Sequence, residues 1–188
     1  MLETLLSKID ALLCSNSHVL VAIDGYCTAG KTTLATFLQE KYDCNLFHMD
    51  DFFLRPMQRT EERMKEVGGN VDYERFLEEV LLPLSKGETF HYRPYDCHSC
   101  SLTEPVNVTP KALNLIEGTY SMHPTLASFY DLSIFLSISP ELQRERILKR
   151  DAMLHQNIFE KWIPMENRYF EEGNIKEQCD LVLNLNHN

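Results

Sequence analysis

The chain has 188 residues, a formal charge of −10, 44% apolar residues and 24% charged residues. That length supports one domain with a substantial core, and the composition is that of a globular protein. The acidic balance argues against nonspecific nucleic-acid binding and against attraction to anionic membranes, both of which need a basic surface. No run is long and apolar enough to read as a membrane span.

Met1 to Leu13 places Leu2, Leu5, Leu6, Ile9, Leu12 and Leu13 at helical spacing, with Glu3, Lys8 and Asp10 between them. This predicts an amphipathic helix over residues 1–16. It lacks the basic start and unbroken apolar stretch of a signal peptide, so a cytoplasmic protein is expected. His18 to Asp24 is an apolar, β-branched run and reads as a buried strand. A glycine-bearing turn spans Gly25 to Gly30. A helix is expected from Lys31 to Tyr42, with Leu34, Phe37 and Leu38 on one face. Cys44 to Met49 reads as a second strand ending at Asp50-Asp51.

Arg55 to Gly69 is polar and closes on Gly68-Gly69. Asp72 can cap a helix running to about Leu84, with Phe76, Leu77, Val80 and Leu81 inward. Glu88 to Pro110 is rich in Pro, His, Ser and Cys and is expected to be hairpin or loop. Ala112 to Ile116 is a third strand, closed by Glu117-Gly118, and Leu132 to Ile138 a fourth. Pro140 opens a charged helix to about Leu154. Another helix covers about Ile158 to Glu172, with Trp162, Tyr169 and Phe170 expected in the core. Asp180 to Leu185 is a last strand.

Short apolar strands alternating with helices indicate an α/β fold: three layers, with a parallel sheet of about five strands covered on both faces. With no repeat or linker in view, residues 1–188 read as one domain, and residues 140–172 as a helical lid and the helix after it. The segments 56–69 and 88–110 read as insertions that carry function. Six cysteines are scattered, and only Cys97 and Cys100 are close. A structural zinc asks for four ligands, so reduced, non-ligating thiols are expected.

Gly25-Tyr-Cys-Thr-Ala-Gly30-Lys31-Thr32 fits GxxxxGK[ST] in full, between a strand and a helix. Such a loop wraps backbone N–H groups round phosphate oxygens at the positive end of a helix. Glycine is needed where the backbone must approach closely. The nucleotide-binding set is Gly25, Thr28, Ala29, Gly30, Lys31, Thr32 and Thr33. Lys31 is expected at the β- and γ-phosphates and Thr32 at Mg²⁺, which makes ATP and Mg²⁺ the expected cofactors. In an open parallel sheet chemistry collects at the carboxyl ends of strands, where Asp50, Asp51 and Glu117 lie. Asp50-Asp51 reads either as site carboxylates or as a helix cap. Asp24 reads either as functional or as a structural acceptor.

The series Asp50-Asp51-Phe52-Phe53, Gly68-Gly69-Asn70-Val71-Asp72, Arg93-Pro94-Tyr95-Asp96 and Ile116-Glu117-Gly118 follows the P-loop in order. Over roughly Val19 to Asp151 this resembles the uridine kinase family, which groups with phosphoribulokinase, pantothenate kinase and nicotinamide riboside kinase. The resemblance implies transfer of the γ-phosphoryl of ATP to the 5′-hydroxyl of a ribonucleoside such as uridine or cytidine. It implies Asp50 as general base, and Mg²⁺ held at Thr32, Asp50 and Glu117. Asp72 is implied at the ribose hydroxyls, Tyr95 beside the base, and Arg93 and His98 among the substrate contacts. Arg150, with Asp151, resembles the start of the lid, where Arg146 joins it over the phosphates. The chain departs from the family in carrying Thr28-Ala29 in the loop, in placing Cys100 where the base-reading histidine stands, and in lacking the second basic cluster of the lid. Three plainer readings stand beside these. Asp72 also reads as a helix cap, the basic helix after Pro140 as a solvated face, and Tyr120 to His123 as a turn rather than a pocket wall. Nicotinamide riboside or pantothenate is an alternative acceptor, a nucleotide-binding regulatory module is an alternative of another class, and a homo-oligomer is left open.

Overall fold

The computed structural model describes residues 1–149 and 155–184. In chain order the strands are β1 (Val19–Gly25), β2 (Cys44–His48), β3 (Phe90–Tyr92), β4 (Tyr95–Asp96), β5 (Ser101–Leu102), β6 (Val106–Val108), β7 (Leu113–Glu117), β8 (Leu132–Ser137) and β9 (Leu181–Asn184). Five of them form one parallel sheet in the order β2-β7-β1-β8-β9. The helices are α1 (Leu2–Ser15), α2 (Lys31–Lys41), α3 (Glu61–Lys65), α4 (Tyr73–Phe76), α5 (Leu82–Lys86), α6 (Pro140–Leu148), α7 (His155–Asn157), α8 (Ile163–Glu172) and α9 (Ile175–Gln178). No helix among the described residues is long and apolar enough to cross a membrane.

The strand period of two sorts side chains onto two cores. Val19, Val21 and Ile23 of β1 join Leu113, Leu115, Ile134 and Leu136 under α1 and α2, where Leu5, Ile9, Leu34 and Leu38 are buried. Leu20 and Ala22 face the other way, into a core with Phe47, Phe52, Phe76, Val80, Tyr92, Tyr169 and Phe170. That second core joins this face of the sheet to the helical segment from α4 to α5, to the hairpin residues Tyr92 and Val108, and to α8.

Two helices are wider than their sequence suggests. A π turn at Leu77–Leu81 joins α4 to α5, and another at Ile158–Trp162 joins α7 to α8. Each comes just before a proline, Pro83 or Pro164. Proline has no N–H to give and its ring crowds the carbonyl one turn back, which the wider turn relieves.

Helix α6 is described to Leu148, and residues 150–154, where the predicted helix continued, lie outside the described residues. The segment expected as hairpin or loop forms two small antiparallel pairs, β3–β6 and β4–β5, one nested in the other. Trp162 was expected in the core and is 48% exposed, because the π turn carries it to the outer face. Tyr169 and Phe170 are buried as expected.

Candidate active site

The loop from β1 to α2 is shaped before any ligand arrives. Gly25 has φ 137°, and a Cβ there would run into the Leu136 carbonyl of β8, so only glycine fits. Gly30 is left-handed at φ 103° and opens α2. Thr28 is left-handed too, at φ 62°, and its buried Oγ1 has no hydrogen-bond partner. Lys31 folds back so that Nζ donates to the carbonyls of Gly25 at 2.8 Å and Tyr26 at 3.1 Å.

Asp24 resolves to the structural side of its two readings. It is fully buried. Oδ1 accepts the Gly25 N–H at 2.7 Å, and Oδ2 accepts the Met122 N–H at 2.9 Å and the Tyr169 hydroxyl at 2.8 Å. Burial raises its pKa, against these bonds and the Lys31 charge. The same contact makes Ser121-Met122 part of the loop's support, while the hydroxyl of Thr119 donates to the Gly25 carbonyl at 3.2 Å.

Glu117 ends β7 with Ile23 on one side and His48 on the other. Its Oε1 accepts from the Thr32 hydroxyl at 3.2 Å and lies 2.6 Å from His48 Nδ1. The hydrogen bond to Glu117 is the main cause of the raised His48 pKa. Asp50 and Asp51 follow on a 3-10 turn, Met49–Phe52. Asp50 is exposed and Asp51 half-buried; burial pushes the Asp51 carboxyl up, with His48 opposing. Gly118, at φ 137°, lets β7 close on Met49, where a Cβ would sit 2.8 Å from the Met49 Cβ. The sheet thus brings Thr32, Glu117, His48 and the Asp50-Asp51 turn to one end.

Arg75 ties together the segments that carry Asp51, Asp72 and Arg93. Nη2 donates to the Asp51 carbonyl at 3.0 Å, Nη1 to the Arg93 carbonyl at 2.8 Å, and Nε lies 3.6 Å from Asp72. Its guanidinium also lies over the Phe52 ring at 4.2 Å. Asp72 is buried and caps α4: Oδ1 accepts the Arg75 N–H at 3.3 Å and Oδ2 accepts from Gln58 Nε2 at 2.8 Å.

Tyr95 is buried, and burial, then the neighbouring Cys100 thiol, raise its hydroxyl pKa. The Arg93 guanidinium serves the hairpin, donating to the carbonyls of Thr103 at 2.6 Å and Leu102 at 3.0 Å. His98 is exposed in the β4–β5 turn, where its N–H donates to Asp96. In the same turn the Cys97 thiol is raised, mainly by desolvation, with the Arg59 charge opposing.

On the phosphate side, Arg146 of α6 donates to the Thr28 carbonyl at 3.0 Å. Arg144 lies over the Phe159 ring, and Lys149 pairs with Glu145. Arg150 lies outside the described residues. Arg75 and His48 belong to this arrangement, and sequence reasoning passes over both. His48 alone had a signal, as the last residue of a strand leading into the acidic turn.

The arrangement fits MgATP. Among the described residues no group of three or more His, Cys, Asp or Glu side chains is poised to hold a metal. Mg²⁺ asks for less, since one or two carboxylates plus phosphate and water oxygens suffice. The Thr32 hydroxyl and the Glu117 carboxylate, with Asp50 on the neighbouring turn, supply that oxygen set.

No protein-family model matches the chain. It is 31% identical over 160 residues to the bifunctional alpha-galactosidase/sucrose kinase AgaSK of Mediterraneibacter gnavus, a match spanning 73% of this chain and 17% of that much longer protein. Its backbone resembles that of a possible uridine kinase from Bacillus stearothermophilus, with a TM-score of 0.70 over 96% of this chain and 99% of that one, at 19% identity. It also resembles phosphoribulokinase from Rhodobacter spheroides, with a TM-score of 0.60 over 89% of this chain and 70% of that one, at 15% identity. The five-stranded parallel sheet flanked by helices is the P-loop kinase fold.

Proposed function

We propose that the chain is an MgATP-dependent kinase that phosphorylates a hydroxyl of a small polyhydroxylated molecule. The observation that carries this reading is the pairing of Thr32 with Glu117 beside the Asp50-Asp51 turn, at the mouth of a complete phosphate loop. A loop alone would serve a switch protein equally well. A kinase also needs a carboxylate where the acceptor arrives.

Lys31 and the loop amides hold the phosphates, and Arg146 adds charge beside Thr28. Thr32, Glu117 and Asp50 would hold Mg²⁺, which would neutralise charge on the phosphoryl oxygens. Asp50 takes the proton of the acceptor hydroxyl as that oxygen bonds to the γ-phosphorus and ADP leaves. Arg150 is proposed to close over the phosphates with the segment between α6 and α7, excluding water.

The family resemblance puts a ribonucleoside such as uridine or cytidine first as acceptor, with Asp72 and Tyr95 against it and Arg93 and His98 on the hairpin. The relative named as a sucrose kinase favours a second reading, a sugar. So does the engagement of both Asp72 oxygens within the protein. Release of ADP from MgATP is to be measured over a panel of nucleosides, sugars, nicotinamide riboside and pantothenate. Stimulation by one class identifies the acceptor. Slow turnover indifferent to every acceptor would replace the kinase with a nucleotide-binding regulatory module.

A further inference from the structure

A phosphate loop works through N–H groups aimed at phosphate oxygens. In this chain one of them is held by a carboxylate: both oxygens of Glu166, on α8, lie 3.1 Å from the Cys27 nitrogen. The Cys27 carbonyl is held as well, by Gln143 Nε2 at 3.2 Å, and that same nitrogen donates to Glu166 Oε1 at 2.9 Å. Glu166 is 4% and Gln143 8% exposed. Side chains of α6 and α8 thus hold both backbone polar groups of one loop residue, Cys27, and Arg146 holds the carbonyl of the next.

The grip needs an acceptor at Glu166 but not a negative charge. The charged and titratable groups facing the carboxyl are Lys31 of α2 and Asp24 of β1, with the hydroxyls of Tyr26 and Tyr120, and Arg146 of α6 one residue along the loop. Burial opposes the ionised form most, and Asp24 adds to it; the Lys31 charge and the hydrogen bonds from Cys27 and Gln143 favour it. Nucleotide phosphates would draw on Lys31 and bring several negative charges beside the carboxyl. Both changes favour its neutral form.

We propose that Glu166 is a positioning residue of the phosphate loop that takes up a proton from solvent when nucleotide phosphates bind, so that the Cys27 peptide stays gripped without an ionised carboxylate beside them. The proposal rests on the nucleotide-binding reading above. Protonation also turns one oxygen from an acceptor into a donor, which suits a phosphate neighbour. The proton is readily supplied near neutrality, because burial has pushed the Glu166 pKa to about 7.

The test is calorimetric titration with MgATP, Mg²⁺ in excess, in pairs of buffers with different ionisation enthalpies from pH 6.5 to 8.5. The wild-type protein should take up about half a proton per nucleotide at pH 7 and approach one at pH 8. Its Kd should weaken up to about tenfold per pH unit above 7. Glu166→Gln keeps an acceptor for Cys27 and mimics the neutral acid. It should bind with no such uptake and more tightly than wild type at pH 8. Nucleotide binding without proton uptake in the wild-type protein overturns the role of Glu166 and leaves the phosphate site standing, whether or not Glu166→Gln folds. Failure of the wild-type protein to bind MgATP at any pH overturns the nucleotide-binding reading and this inference with it.

Discussion

Asp50 and Asp51 are neighbours on one turn with different surroundings. Asp50 is exposed. Asp51 is half-buried, and its carbonyl is fastened by Arg75. Asp50→Asn keeps the shape and removes the proton acceptor, so kcat should fall by roughly 10²–10⁴ while MgATP still binds. Asp51→Asn should cost less, and the reverse ranking would move the base to Asp51. Asp72 carries a second residue-scale question, because it caps α4 whatever else it does. Asp72→Ala should lower stability by about 1 kcal/mol for the lost cap, with a further loss from the stranded Gln58 amide. If Asp72 also reads ribose, the preference for ribo- over 2′-deoxyribonucleosides should flatten beyond any stability effect. A lower melting temperature with an unchanged ribo/deoxy ratio would leave Asp72 as a cap alone and send the acceptor search to sugars.

At the scale of elements, the segment between β2 and α5 is stapled to the connection between β7 and β8. His123 stacks on Tyr73 at 3.9 Å, and Arg63 lies over the other part of the same cluster, 4.2 Å from the Tyr73 ring. Arg63 also donates to the carbonyls of Gly69 and Val71 at 2.9 Å each. Burial and then the Arg63 charge lower the His123 pKa to about 4 from 6.5. Between those values the unfolded chain holds more protons than the folded one. The stabilisation is therefore full above pH 6.5 and is lost as pH falls toward 4. His123→Phe keeps a ring on Tyr73 and removes the titration. Urea midpoints at pH 7.5 and 5 should fall less for this variant than for wild type, and equal losses would exclude His123 as the cause. Sequence reading left this staple open. Gly68-Gly69 is visible as a break, and Tyr120 to His123 stays open between turn and pocket wall, but stacking between residues 50 positions apart has no periodicity to reveal it. The two π turns were hidden for a similar reason, since the apolar spacing of Phe76, Val80 and Leu81 is compatible with an ordinary helix. The prolines were the legible hint, because each demands relief one turn back.

At the scale of the molecule, legibility followed locality. The strands of the sheet are short apolar runs with clear ends, and the P-loop and Glu117 are set by their own neighbours, so all of these could be read along the chain. Arg75, Gln143 and Glu166 act across distant segments, and nothing in their immediate sequence marks them. The same long-range construction makes ligand binding a property of the whole fold. The phosphate loop lies between the core under α1 and α2 and the core behind the insertions, and side chains of α6 and α8 hold it. A ligand that binds only the assembled loop stabilises the folded state by RT ln(1 + [L]/Kd), about 2.7 kcal/mol at a hundredfold excess over Kd. For a chain of this size each kcal/mol moves the melting temperature by roughly 2–4 °C, so saturating MgATP should raise it by about 5–10 °C. Lys31→Met should abolish most of that shift and cut phosphoryl transfer by orders of magnitude, because the charge facing the phosphates is gone. Without ligand the variant should melt only slightly below wild type, since its losses are the two bonds from Nζ to loop carbonyls. A Lys31→Met protein that keeps the full MgATP shift and near-normal turnover would show that the phosphates sit elsewhere. One that melts far lower without ligand would show that Lys31 is a structural strut of the loop rather than a contact waiting for nucleotide.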